Sequence, residues 1–153
     1  MAEEQEAQQP VFTIEKLYVK DLSLEVPNAP QIFLERDTPR VDIQLSTQAK
    51  PIEGGRYEVV LSVTTTASLG DKTVFLVEAQ QAGIFVVRNI PQDSMEPVLG
   101  ITCPNILFPY VRETVSDAIT RAGFPPFLLA PVNFEVLYQQ RVQQNQAVAP
   151  TTH

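Results

Sequence analysis

Apolar residues recur at every second position through the first half of the chain and at every third or fourth through much of the second half. The clearest alternation is "VDIQLS" (41–46), with Val41, Ile43 and Leu45 on one side and Asp42, Gln44 and Ser46 on the other. That period predicts a half-buried strand. A longer stretch, 11–26, carries Phe12, Ile14, Tyr18, Leu22, Leu24 and Val26 in one parity and Leu17 and Val19 in the other. Either both faces have something to bury or a bulge shifts the register mid-strand. Pro27 and Pro30 close this strand, since neither can donate to a ladder. The runs "RYEVVLSVTTTASL" (56–69) and "TVFLVEAQQAGIFVV" (73–87) flank a hairpin turn centred on Gly70 and Asp71. Four strands with short connections, and one longer crossover at 27–40, predict an antiparallel sheet. The crossover holds Ile32, Phe33 and Leu34 side by side, which is unusual for a solvated connection.

The period then changes. Val111, Val115, Ala118, Ile119 and Ala122 fall on one helical face. Before them, "CPNILFPY" (103–110) predicts a helix start, with Asn105 as the cap and Pro109 in or near the first turn. The lead-in over 90–105 holds Pro91, Pro97, Gly100 and Pro104 and reads as irregular. Gly123 predicts a left-handed C-cap, and Pro125 and Pro126 forbid continuation. After "FLLAPVN" (127–133), Asn133 is a second cap, and Phe134, Leu137, Tyr138 and Val142 form a stripe on a last helix running to about Gln144. The expected organisation is one domain over 11–144. It lies between a disordered acidic segment, 1–10, and a flexible tail, 145–153.

Composition narrows the function. At 153 residues and 44% hydrophobic, the chain can build one real core. A net charge of -7 argues against nucleic acid as a partner, because phosphate binding needs clustered Lys and Arg. It favours a basic protein segment instead. One cysteine, Cys103, cannot make an internal disulfide, and the acidic, polar start lacks a secretory signal. A cytoplasmic location is therefore expected, with no apolar stretch near the roughly 20 residues of a membrane span. His153, the single histidine, ends the tail and anchors no triad or metal site. Cys103 has no histidine near it and reads as packing. No glycine-rich phosphate loop appears. The expectation is a protein that is not an enzyme and needs no cofactor or metal.

Four stretches carry a resemblance. "YVKDLSLEVPNAP" (18–30), "YEVVLSVTTTASLGDKTVFLVEAQQAGIF" (57–85), "CPNILFPYVRETVSDAITRAGFPP" (103–126) and "LAPVNFEVLY" (129–138) together resemble the SecB family of bacterial protein-export chaperones. The spacing holds from about Phe12 to Gln144. "PNAP", "CPNILFPY" and "LAPVNF" are specific as a set, though weak singly.

The resemblance implies an α+β fold: a four-stranded antiparallel sheet, a long helix and a shorter C-terminal helix. It also implies a homotetramer, arranged as a dimer of dimers with the long helices between the sheets. It implies a chaperone that uses no nucleotide, holds unfolded precursor proteins and delivers them to the SecA motor. The membrane is then met only through SecA. The expected client groove is lined by Ile32, Phe33, Leu34, Val41, Ile43, Leu45, Phe134, Leu137 and Tyr138. By family match, Asp21, Glu25, Leu76 and Glu78 would meet SecA. Two alternatives stay open here: a SecB-like chaperone dedicated to an antitoxin, and a small β-sheet module binding one defined partner.

Overall fold

The computed structural model describes residues 9–148. The expectations for 1–8, for 149–153 and for His153 lie outside the described residues. Four strands form one antiparallel sheet: β1 (Val11–Glu25), β2 (Arg40–Pro51), β3 (Arg56–Leu69) and β4 (Lys72–Arg88), in the order β1-β4-β3-β2. The crossover therefore carries the chain from one sheet edge to the other, through a short 3-10 turn at Gln31–Leu34. The β3–β4 hairpin turns where expected, with Gly70 at φ 61°, a conformation a side chain would resist.

β1 resolves the mixed parity. Its register against β4 slips twice, between Ile14 and Lys16 and between Val19 and Asp21. Each bulge flips the alternation. Phe12 pairs with Val87, Ile14 with Phe85, Leu17 with Gly83, Val19 with Gln81, Leu22 with Ala79 and Leu24 with Val77. All six apolar side chains thus share one face with the buried residues of β4, and Tyr18 joins the polar set on the other. The long helix covers β4 and β3 but barely reaches β1. Phe12, Ile14, Val19, Leu22 and Leu24 consequently stay exposed on an edge strand.

The helical half begins earlier than expected. α1 (Gln92–Pro97) runs through a π turn (Val98–Thr102) into α2 (Cys103–Arg121) without a break. Asn105 is not a cap; it lies exposed inside α2, with Pro104 near the helix start and Pro109 in the interior. The reason is the wider turn. The Cys103 N–H bonds the Val98 carbonyl five residues back. A proline ring normally clashes with the carbonyl four residues before it, and for Pro104 that carbonyl belongs to Gly100 in the π turn. Of the breakers read as an irregular lead-in, Gly100 lies in that turn and Pro104 follows it, while Pro91 precedes α1 and Pro97 ends it.

The far end of α2 follows expectation. Gly123 takes φ 96°, its N–H bonds the Thr120 carbonyl, and the Phe124 N–H bonds the Ile119 carbonyl. This paired pattern is the glycine-dependent helix stop. Leu107, Val111, Val115, Ala118 and Ile119 are buried against Val59, Leu61, Val63, Val77 and Phe85 of the sheet. Cys103 is fully buried, and burial pushes its thiol up to about 12, so it stays protonated and inert. α3 (Phe134–Val148) starts on Asn133, whose Oδ1 accepts the Val136 N–H at 3.1 Å, and runs past Gln144 to Val148.

Candidate functional site

A groove runs between β2 and α3. One part, about 360 Å³, is lined by Leu45 and Thr47 of β2, Gly100 of the π turn, and Phe134, Leu137, Tyr138 and Arg141 of α3. It continues into a second depression of about 330 Å³ that shares Thr47, Gly100, Tyr138 and Arg141 and adds Leu99 and Val142. Glycine is required at 100 by close approach. A Cβ there would stand 2.9 Å from Tyr138 Cδ2 and 3.2 Å from an Arg141 guanidinium nitrogen. The π turn and its glycine thus let α3 lie flat enough to form the groove wall.

A second apolar patch lies at the crossover. Phe33 stacks on Phe124 with ring centroids 5.0 Å apart, and Phe124 rests on Phe75 at 5.1 Å. Phe33 remains 47% exposed, and Leu34 points still further into solvent. Val41 is partly buried against the core, and Ile43 is exposed between the two patches on the same face of β2. Val41 to Leu45 spans about 14 Å at strand rise, so β2 carries an apolar row from the groove to Val41, whose cross-strand row continues through Ala67 to Phe75 under the crossover patch.

One expected lining residue, Ile32, needs correction, and a second, Phe134, lines the groove only from within the core. Ile32 is 5% exposed and belongs to the core, because the 3-10 turn points it inward while Phe33 and Leu34 face out. Phe134 is 3% exposed; its ring packs edge-on against Phe108 at 5.9 Å and contributes only an edge to the groove. Leu137, 41% exposed, and the partly buried Tyr138 do face it. Gly100, Leu99, Arg141 and Phe124 were missed. Helical spacing from Leu137 and Tyr138 would have found Arg141. The Gly100 contact needed the unread π turn.

Asp21, Glu25, Leu76 and Glu78 come together on the opposite sheet face, away from α2. Glu25 pairs with Leu76, Ser23 with Glu78 and Asp21 with Gln80. The bulge around Lys20 keeps Asp21 and Glu25 outward while Leu22 and Leu24 face in. Asp42, also missed, lies in the same cross-strand row through Thr66 and Leu76. Among the described residues none of Asp21, Glu25 and Glu78 forms an ion pair.

The other end of this face neutralises itself. Glu58 accepts a hydrogen bond from the Tyr18 hydroxyl, lies 2.8 Å from Lys20 and 3.7 Å from Lys50, while Arg56 meets Glu15 at 2.6 Å. The Lys20 hydrogen bond, then that from Tyr18, holds the Glu58 carboxyl below its ordinary range. Burial, then Glu58, pushes Tyr18 up to about 12. Among the described residues of this face, the carboxylates without an ion pair, Asp21, Glu25, Glu78 and Asp42, gather at the opposite end, where Arg40 lies two residues from Asp42 on β2.

Residues 5–145 match the family described as preprotein translocase subunit SecB. The chain belongs to the SecB family. It is 62% identical to the protein-export protein SecB of Methylobacillus flagellatus, with 100% of both chains covered. It is 61% identical to that of Thiobacillus denitrificans, over 97% of this chain and 99% of the relative. Among solved structures, a Mycobacterium tuberculosis SecB-like chaperone in complex with a ChAD peptide from the HigA1 antitoxin superposes with TM-score 0.66. It shares 17% identity and covers 79% of this chain and 90% of its own, which supports the fold. SecB is a chaperone family, not an enzyme family, so the expected α+β fold and non-catalytic chaperone class are both borne out. No helix of the described residues is long and apolar enough to cross a membrane.

Proposed function

We propose that this SecB-family chain works in the cytoplasm as a homotetramer, holding unfolded precursor proteins for delivery to the SecA motor. The observation that carries the reading is the apolar row along β2, with two half-exposed anchors, Leu137 at the groove and Phe33 at the crossover patch, on the same side of the sheet. An unfolded segment laid on it would bury apolar side chains at about 1.5–3 kcal/mol each. Ordering a flexible chain offsets much of that gain, so one row binds weakly. Four rows on one tetramer engage the same client in succession, and linked occupancy raises the affinity without new contacts. Proteins that fold fast bury their own anchors and escape. The step needs no nucleotide and no cofactor.

The acidic end of the outer face suits a basic surface on the motor, away from that row. Four chains at -7 each carry about -28 in formal charge, which also keeps sticky particles apart. The test is Asp21→Lys with Glu78→Lys, read by surface-immobilised SecA and by aggregation suppression in parallel. Motor binding falls by roughly tenfold or more, and added salt weakens the wild-type complex in the same direction. Client holding stays near wild type. Undiminished SecA binding in the double variant would remove these residues from the docking surface.

A further inference from the structure

We infer that Glu58 is a positioning residue for the acidic docking end: it holds the Lys20 ammonium and so keeps the neighbouring carboxylate of Asp21 open to a basic segment of the motor. The inference rests on the docking reading above and deepens it. Neighbours along a strand normally point to opposite faces. The second bulge of β1 breaks that rule: Lys20 has no partner on β4, and both Lys20 and Asp21 lie on the outer face. A lysine beside an aspartate on one face is placed to pair with it. Lys20 instead reaches across β4 to β3, where its Nζ stands 2.8 Å from Glu58 Oε1. Asp21 stays exposed, with no ion pair among the described residues.

Glu58 is the better prepared of the two carboxylates. Its side chain is 12% exposed, against 40% for Lys20. The Tyr18 hydroxyl donates to its Oε2, and Lys50 of β2 approaches its Oε1 at 3.7 Å. A carboxylate already fixed from two strands gives up little further freedom when Lys20 arrives, whereas Asp21 would have to be ordered together with the lysine. Solvent also screens a pair at the exposed Asp21 more than one at Glu58. The first bulge repeats the arrangement with the signs reversed. Glu15 has no partner on β4, crosses it to Arg56 at 2.6 Å, and leaves the exposed Lys16 beside it without an ion pair among the described residues. In each bulge an opposite charge on β3 takes up the unpaired residue, and the neighbouring charge stays open to solvent.

The test is a double-mutant cycle on the full chain, read by surface-immobilised SecA at low salt. Glu58→Gln keeps the shape of the side chain and the acceptor for Tyr18. It releases Lys20 to turn to Asp21, and SecA affinity falls by about three- to fivefold, the range of an exposed charge pair. In a Lys20→Gln background the same substitution leaves SecA affinity unchanged, because no lysine remains to turn. Aggregation suppression stays at wild type in all three variants, since the groove lies on the other sheet face. An equal fall in both backgrounds would make Glu58 only one charge in a general field, and a larger fall without Lys20 would make it a contact of the motor; either result overturns the inference. Asp21→Asn checks the reading beneath it. If Asp21→Asn weakens SecA binding and Glu58→Gln does not, the role of Glu58 alone is overturned. If Asp21→Asn leaves SecA binding intact, the docking reading and this inference fall together.

Discussion

Phe33→Asp combined with Leu137→Asp leaves a folded, assembled protein that no longer suppresses aggregation of unfolded clients. Both side chains are about half exposed, so a carboxylate at either position remains hydrated. Folding then loses only their partial burial, roughly 1 kcal/mol per site. Client binding loses two anchors of about 1.5–3 kcal/mol each. It also gains the cost of desolvating two charges against an apolar segment. A loss of a hundredfold or more in affinity follows, since each 1.4 kcal/mol is about tenfold. Phe134→Asp provides the contrast. At 3% exposure, that carboxylate would be buried beside Phe108, at several kcal/mol out of a typical total of about 5–15. Circular dichroism and thermal melting separate the two classes, and light scattering with several unrelated unfolded proteins reads the function. A double variant that melts early would return Phe33 and Leu137 to the core.

Val19→Asp with Leu22→Asp breaks the assembly. These residues flank the second bulge of β1 and face the same side as α2, yet among the described residues they stay about half exposed. With Phe12, Ile14 and Leu24 they form an apolar stripe on a long edge strand. That combination in a lone protein invites uncontrolled pairing and aggregation. A second copy is the cover that the proposed tetramer would supply. Charges buried in such an interface cost several kcal/mol apiece, and symmetry repeats the cost. Native mass of the double variant falls to two chains or one. A tetramer that survives both charges would place its interfaces elsewhere.

The residues show why some features were legible in advance and others were not. The strand alternation at 41–46, the Gly70 turn, the Gly123 stop and the Asn133 cap each depend on one local rule, and each was readable. The β1 bulges needed the partner strand, because mixed parity alone leaves two solutions. Asn105 misled because a proline-rich lead-in normally means a break, and a π turn is invisible to a propensity argument. Ile32 was expected in the groove beside Phe33 and Leu34 and lies in the core instead, because tertiary packing decides whether an apolar residue faces in or out of a turn. The four outer-face positions came from family resemblance, and only the register against β4 brings them together on one face.

Native mass spectrometry of the wild-type chain, alone and with one reduced, unfolded precursor protein, tests the central claim most directly. The chain alone should appear as four copies of 17.0 kDa, about 68 kDa, and the mixture as that tetramer carrying a single client. A 17.0 kDa monomer at micromolar concentration, or a tetramer that never acquires the client, would contradict it.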